Sequence, residues 1–241
     1  FKENNIPEGV SSLINGDYRI GELLSSDIRM PLVSATGSTR MGKKVAEKVG
    51  SRLGKTLLEL GGNNAIIITP DADLEITIIG ALFGAIGTCG QRCTSTRRLI
   101  VHEAVYDKVK SSLKEAYNQI KIGDPLNSEN HVGPLIDKDA VKNYLDALNI
   151  IEEQGGSFLV SGGVLNGQEF ESGCYVKPVI AEIHHSKKIV QEETFAPILY
   201  LIKYSGSVES AIEIQNEVKQ GLSSAIMTNS LQDAECFLSH W

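Results

Sequence analysis

Residues 30–53 read MPLVSATGSTRMGKKVAEKVGSRL. The apolar run Met30–Ala35 predicts a short buried strand, and residues 36–39 predict a tight turn after it. A helix should follow, because apolar residues recur at a spacing of four: Met41, Val45, Val49 and Leu53. Strand, turn and helix in this order are typical of an α/β protein with a largely parallel sheet.

The same order recurs along the rest of the chain. Further strands are predicted at 64–69, 98–102, 158–160, 175–183, 198–203 and 225–228. Helices are predicted at about 72–85, with Asp71 or Asp73 as the N-cap, at 104–120, after Asp137, at 208–217 and from 232 onward. We therefore assign the chain to the α/β class, with a substantially parallel sheet.

Composition excludes several classes of function. The chain has 241 residues, of which 41% are hydrophobic and 22% charged, as in ordinary soluble globular proteins. Its net charge of -7 gives no general attraction to nucleic acid or to an anionic membrane surface, so neither is expected as a partner. No apolar run approaches the roughly 18 residues of a membrane helix, and the first ten residues do not resemble a signal peptide. A cytoplasmic protein is expected.

A glycine-rich loop, GTCGQRCT at residues 87–94, is the first candidate for chemistry. The cation of Arg92 next to Cys93 favours the thiolate, which is the reactive form of cysteine. Backbone N–H groups in such a loop can approach a substrate oxygen. The alternative is a buried cysteine in a tight connection, which fits Cys89 better than Cys93. The spacing of the four cysteines matches neither a zinc site nor a CxxC redox pair.

Two other segments stand out. In GSTRMG, residues 37–42, Gly37 and Ser38 precede a predicted helix whose first N–H groups would suit a phosphate, although an ordinary strand-to-helix turn has the same pattern. In ELGG, residues 59–62, Glu59 follows an apolar run and should be partly desolvated, which suits a general base. The alternative for Glu59 is a carboxylate facing solvent at a strand edge.

Together these motifs resemble the aldehyde dehydrogenase superfamily. The matching segments are ATGSTRMG, ELGG and GQRC, followed by EETFAP and GLSSA; Glu59 and Cys93 are 34 positions apart. Finer features, such as ELGGNNAII and GQRCT, resemble its antiquitin branch, whose substrate is α-aminoadipic semialdehyde. The resemblance implies an incomplete Rossmann-type cofactor domain at residues 1–61 and an α/β catalytic domain at 62–241, truncated at its C-terminus.

The resemblance also implies roles for individual residues. Cys93 would attack the aldehyde carbon, and Glu59 would activate the water that hydrolyses the resulting thioester. Arg92 would hold the polar end of the substrate, or else only tune Cys93.

Four further residues would meet the cofactor. Gly37 and Ser38 would lie near its pyrophosphate, Glu193 would accept a hydrogen bond from a ribose hydroxyl, and Phe195 would pack near the nicotinamide. The implied cofactor is NAD, with NADP left open, and no metal is expected.

Three further expectations concern the protein as a whole. The family is about twice as long as this chain, so we expect the chain to be a fragment that does not turn over aldehyde alone, and the parent to be a homo-oligomer. An alternative is a fragment with a structural or interaction role, although a retained Cys93 and Glu59 argue against it. A second alternative is an acylating dehydrogenase, in which coenzyme A rather than water resolves the thioester.

Overall fold

The computed structural model describes residues 2–239 and confirms the α/β class. It divides into two compact units, Phe1–Leu60 and Gly61–Trp241. The strands are β1 Leu32–Thr36, β2 Lys55–Glu59, β3 Asn64–Ile68, β4 Thr96–His102, β5 Ser157–Val160, β6 Val179–Glu182, β7 Ile198–Tyr204 and β8 Ser224–Met227. The helices are α1 Tyr18–Ser26, α2 Thr39–Ser51, α3 Leu74–Ile86, α4 Glu103–Asn118, α5 Lys138–Glu153, α6 Lys188–Gln191, α7 Val208–Asn216 and α8 Leu231–Leu238.

The first unit contains the strand, turn and helix predicted from residues 30–53. β1 and β2 pair in parallel, with Thr36 opposite Glu59, and α2 connects them. Leu53 was predicted on the apolar face of this helix, but α2 ends at Ser51. Leu53 instead lies in the turn into β2, with φ of 58° and 95% of its surface exposed, because the chain reverses direction there.

The second unit is built on one six-stranded sheet in the order β5-β6-β7-β4-β3-β8. All neighbouring strands are parallel except β5 and β6. The middle of the sheet is buried on both faces, since both its odd and its even positions are covered; Ile67, Ile68, Leu99 and Ile100 are all fully buried. Such strands are typical of parallel sheets with helices on both sides.

Most predicted elements are present, with bounds shifted by one or two residues. Asp73, not Asp71, caps α3, and Asp137 caps α5 as predicted. The strand predicted at 175–183 shortens to β6, because Pro178 lacks the N–H that a strand ladder needs. The helix predicted from 232 onward begins at Leu231, and its last positions, 240 and 241, lie outside the described residues.

The sheet brings four chain segments to one edge. Loops 61–63, 87–95, 193–197 and 221–223 each precede one of the adjacent strands β3, β4, β7 and β8. They therefore meet at the amino ends of these parallel strands, which we call the amino edge. Ligands of open parallel sheets more commonly bind at the carboxyl ends. Within residues 2–239, no helix combines the length and apolar character needed to cross a bilayer.

Candidate functional site

Gly37, Ser38 and Glu59 lie together at the carboxyl ends of β1 and β2. The N–H of Gly37 donates to the Glu59 carbonyl oxygen at 3.0 Å. The Ser38 hydroxyl accepts from the N–H of Met41 at 3.1 Å and so caps α2. The Gly37 N–H and the Ser38 hydroxyl thus already have hydrogen-bond partners within the protein. The exposed start of α2 is the part of this turn that remains open to a phosphate.

The structure distinguishes between the two alternatives for Glu59. The sequence allowed either a partly desolvated carboxylate or one that faces solvent at a strand edge, and Glu59 is exposed. The cause is its position at the last residue of β2, a strand of a two-stranded sheet whose burial pattern is mostly exposed. The alternative of a solvent-facing carboxylate describes this geometry.

Cys93 lies in the loop between α3 and β4, whose backbone is unusual. Three consecutive residues, Thr88, Cys89 and Gly90, have φ values of 55°, 53° and 66°. Non-glycine residues rarely adopt this left-handed conformation, which costs about 1–2 kcal/mol per residue, and such strain concentrates at functional sites. The strained turn places Cys93 half-buried after the sharp end of α3.

Contacts on both sides fix this loop. A Cβ atom on Gly90 would lie 2.5 Å from the backbone of Ala196, so only glycine fits there. The Gln91 side chain accepts from the N–H of Ile136 at 2.9 Å and donates to the Pro134 carbonyl at 3.2 Å. Within the described residues, the backbone N–H of Cys93 has no acceptor, and it is therefore open to a substrate oxygen.

Asn64, the first residue of β3, connects the Cys93 loop to the segment 221–223 of the amino edge. Its amide nitrogen donates to the carbonyl oxygens of Cys93 and Ser95, at 2.8 and 2.9 Å. Its amide oxygen accepts from the N–H of Ser223 at 2.8 Å. Asn64 is 2% exposed, so these bonds form away from water and hold the backbone of Cys93 in place.

The two cysteines of the loop have different environments. Cys89 is 1% exposed, and burial raises its pKa to about 12. It is therefore a neutral thiol at physiological pH, in agreement with its expected role as a packed side chain. Cys93 is half-buried, so a reagent or substrate can reach it.

The Arg92 side chain turns back on α3. Its guanidinium carbon lies 4.8 Å from the centre of the Phe83 ring, and its Nη2 donates to the Phe83 carbonyl oxygen at 3.1 Å. Gly87 provides the space, since a Cβ there would lie 2.1 Å from Arg92 Nη2. The guanidinium of Arg92 thus makes a cation–π contact with the Phe83 ring of α3.

Glu193 and Phe195 form the neighbouring part of the amino edge. The Glu193 carboxylate accepts from the N–H of Gly62 at 3.3 Å and from Arg97 Nη2 at 3.4 Å. A Cβ on Gly61 would lie 1.8 Å from the second carboxylate oxygen, so glycine is required for Glu193 to sit there. Phe195 is 47% exposed. An accessible carboxylate can accept from a hydroxyl group, and an exposed ring can stack on a flat heterocycle.

The sequence analysis did not identify Asn64 or Arg97 as site residues. Both are buried polar residues that join separate loops, and Arg97 contacts two of the four amino-edge segments, 87–95 and 193–197. The available signal was the pair Arg97–Arg98 directly before the apolar run 99–101, since two charges entering a buried strand need fixed partners. Among residues 2–239, no cluster of His, Cys, Asp and Glu could hold a metal ion.

Comparison with known proteins gives the family. The model of the aldehyde dehydrogenase family matches residues 1–241. Aldehyde dehydrogenase family 7 member A1 of Brassica napus is 45% identical over 230 residues, and the match covers 95% of this chain and 46% of that protein. Alpha-aminoadipic semialdehyde dehydrogenase of Bos taurus is 45% identical over 232 residues, covering 96% of this chain and 42% of that protein. The chain thus spans less than half the length of these relatives.

Solved structures have the same fold. A betaine aldehyde dehydrogenase of Staphylococcus aureus in complex with NAD+ superposes with a TM-score of 0.93 at 26% identity, covering 98% of this chain and 47% of that one. A 3,6-anhydro-L-galactose dehydrogenase in complex with NAP gives a TM-score of 0.93 at 31% identity, covering 99% of this chain and 50% of that one. With the family model matching along its whole length, the chain belongs to the aldehyde dehydrogenase family.

Proposed function

We propose that this chain supplies the nucleophile, the general base and part of the cofactor site for the NAD(P)-dependent oxidation of an aldehyde to its carboxylic acid. The observation that carries the proposal is the Cys93 loop, in which a half-buried thiol follows a strained turn and has its backbone fixed by Asn64. Cys89, four positions earlier, lies within the same strained turn but is 1% exposed, so it lacks the access that Cys93 has.

The proposed reaction begins when the Cys93 thiolate adds to the carbonyl carbon and forms a C–S bond. The N–H of Cys93, which has no acceptor among the described residues, donates to the oxyanion that develops on the former carbonyl oxygen. Bound NAD(P) supplies the acceptor for the two electrons that leave the carbon with its hydrogen. A thioester on Cys93 remains.

Glu59 is proposed to take a proton from a water molecule that attacks this thioester. The C–S bond then breaks, the acid leaves, and the Cys93 thiol is regenerated. The exposure of Glu59 gives water direct access to its carboxylate. Water as the attacking group distinguishes this proposal from acylating chemistry with coenzyme A.

The cofactor and substrate contacts are proposed residue by residue. Glu193 accepts from a ribose hydroxyl and Phe195 packs on the nicotinamide, while the turn at Gly37 and Ser38 lies near the pyrophosphate. Residues 1–61 thus form the end of the dinucleotide-binding domain and residues 62–241 the catalytic domain. The substrate is a semialdehyde such as α-aminoadipic semialdehyde, whose anionic end binds Arg92 in place of the Phe83 carbonyl. The 45% identity to the Bos taurus enzyme supports this substrate class.

The test uses both the intact encoded protein and the 241-residue chain, incubated with α-aminoadipic semialdehyde and NAD. We expect steady NADH formation by the intact protein and none after Cys93→Ser. Glu59→Gln should give one NADH per active site and then stop, because the thioester is not hydrolysed. Cys174→Ser is the matched control and should retain activity. Full turnover by Cys93→Ser would contradict the role of Cys93 as the nucleophile. If Glu59→Gln resumed turnover only after addition of coenzyme A, hydrolysis of the thioester by water would be contradicted.

A further inference from the structure

Arg97, at the start of β4, is one of the most deeply buried large side chains of the described chain, with 1% of its surface exposed. Its Nη1 donates to the carbonyl oxygens of Gly90 and Ala196, at 2.6 and 3.2 Å. Its Nη2 donates to the Arg92 carbonyl at 3.2 Å and to the Glu193 carboxylate at 3.4 Å. One guanidinium therefore joins the backbone of the Cys93 loop to the segment that carries Glu193 and Phe195.

The same guanidinium lies against Phe195. Its central carbon is 5.3 Å from the centre of the ring, within the range of a cation–π contact. Arg97 thus contacts both residues that we assign to the nicotinamide end of the cofactor.

Arg98, the next residue, has equal burial and a different function. It is 2% exposed, and its guanidinium donates to the carbonyl oxygens of Asn63, Ile214 and Gln215, at 2.9–3.1 Å. Ile214 and Gln215 belong to the last turn of α7, so Arg98 satisfies the carbonyls of a helix end. Neighbouring residues of a strand point to opposite faces, and only Arg97 points to the Cys93 loop.

A buried arginine with a single carboxylate partner is costly to maintain. Burial lowers the pKa of Arg97, and the nearby Glu193 only partly opposes this effect. Replacement of such a buried charge by apolar residues is often neutral or stabilising, so stability alone is a weak reason for its presence. The geometry gives a better one, because the planar fork of arginine can reach four acceptors at once, whereas a lysine ammonium cannot.

We propose that Arg97 is a positioning residue that couples the Cys93 loop to the cofactor contacts Glu193 and Phe195. The inference rests on the proposed function, in which Glu193 and Phe195 meet the nicotinamide riboside. Its consequence is that a change at Glu193 alters the reactivity of Cys93, and that loss of the arginine fork weakens cofactor binding and alters thiol reactivity together.

The test compares Arg97→Lys with Arg98→Lys in the intact encoded protein. Each variant keeps a positive charge and removes one buried guanidinium. The readouts are the dissociation constant of NAD by titration calorimetry and the rate of Cys93 alkylation by iodoacetamide without NAD, followed by peptide mass spectrometry. For Arg97→Lys we expect the dissociation constant of NAD and the alkylation rate of Cys93 each to change by about fivefold or more, the size typical of coupling between two sites. For Arg98→Lys, which does not contact the Cys93 loop, we expect each to change by less than about twofold. Equal effects of the two substitutions would overturn the proposal.

Glu193→Gln provides a second test that is independent of how well the arginine variants fold. It keeps the shape of the side chain and removes the charge that faces Arg97, so the alkylation rate of Cys93 should change without NAD present. An unchanged rate overturns the coupling. Cys93→Ser separates this inference from the proposed function: if that variant retains turnover, the proposed function fails, whereas equal effects of Arg97→Lys and Arg98→Lys remove only the role of Arg97.

Discussion

The Asn64 amide donates to the backbone carbonyl of Cys93 at 2.8 Å, although the two residues are separated by 29 positions. The Asn64 amide also bonds Ser95 and Ser223, so one buried side chain joins β3, the thiol loop and the segment before β8. The position of Cys93 therefore depends on a residue that bonds its backbone and not its sulfur.

Asn64→Asp tests this dependence. The substitution keeps the oxygen that accepts from Ser223, but it turns a second oxygen toward the carbonyls of Cys93 and Ser95. Each buried group left without a partner costs about 1–3 kcal/mol, so the free energy of unfolding should fall by at least that amount. Urea unfolding measures the loss. The control is Asn166→Asp, the same change at an exposed loop position, which should leave stability within about 0.5 kcal/mol.

Gly90→Ala should be more harmful than the same change at another left-handed glycine. The left-handed backbone alone costs alanine about 1–2 kcal/mol. At Gly90 the new Cβ would also lie 2.5 Å from the backbone of Ala196, which cannot move aside as a side chain could. Gly155, with φ of 84° and no atom within 4 Å of its Cβ position, isolates the cost of the backbone conformation. Thermal unfolding of Gly90→Ala and Gly155→Ala should differ; equal losses would mean that the close approach to Ala196 has no effect.

Gly61→Ala should displace the Glu193 carboxylate, because the two would overlap at 1.8 Å. Glu193 is the flexible partner, so the fold should survive while NAD binding weakens. Titration calorimetry on the intact encoded protein measures the dissociation constant. Gly221→Ala adds the same methyl group where nothing lies within 4 Å and is the control. Unchanged NAD affinity in Gly61→Ala would remove Glu193 from the proposed cofactor site.

Alkaline pH should destabilise the fold. Burial raises the pKa of Cys89 to about 12 from 9.0, and it raises the pKa of Tyr117 and Tyr200 above the usual 10.0. These groups stay protonated in the folded state while the unfolded chain loses their protons. Their contribution is therefore fully present below about pH 9 and is lost as pH rises toward 12, at about 1.4 kcal/mol per pH unit for each group.

Urea unfolding at several pH values between about 8 and 11 measures this slope. Tyr117→Phe should make the fall of the unfolding free energy with pH less steep by the contribution of one group, about 1.4 kcal/mol per pH unit. The Tyr117 hydroxyl is buried without a hydrogen-bond partner among the described residues, so its removal should not destabilise the protein at neutral pH. If the pH dependence of stability were the same in Tyr117→Phe, Tyr117 would not contribute to the alkaline loss of stability.

The sequence predicted the parts of the fold that depend on local patterns. The strand and helix of residues 30–53, the caps at Asp73 and Asp137 and most of the parallel strands follow from apolar spacing and capping residues. Strand β2 was not predicted, because its residues are mostly exposed and carry little apolar periodicity. Cys93 was identified from its glycine-rich loop, Glu193 and Phe195 were identified by resemblance, and the fold brings the three to one edge.

Contacts between residues far apart in the chain could not be predicted from the sequence. The leucine neighbours of Glu59 left both a desolvated and a solvent-facing carboxylate open, because burial depends on what covers the strand; in the structure Glu59 is exposed. The links from Asn64 to Ser223 and from Arg97 to Ala196 and Glu193 join residues 96–159 positions apart. No local pattern encodes such partners, and only two adjacent arginines before an apolar strand hinted at one of them.

The amino edge has an electrostatic consequence. Helices that connect parallel strands end near the amino ends of those strands, so this edge faces carbonyl oxygens and the negative ends of helix dipoles, as the bonds of Arg98 to the last turn of α7 illustrate. A thiolate or an oxyanion gains nothing from such a field. In the first unit the start of α2 can receive an anion with backbone groups alone. In the second unit the Glu193 carboxylate at this edge faces the buried guanidinium of Arg97, whose positive charge opposes the field of the helix ends.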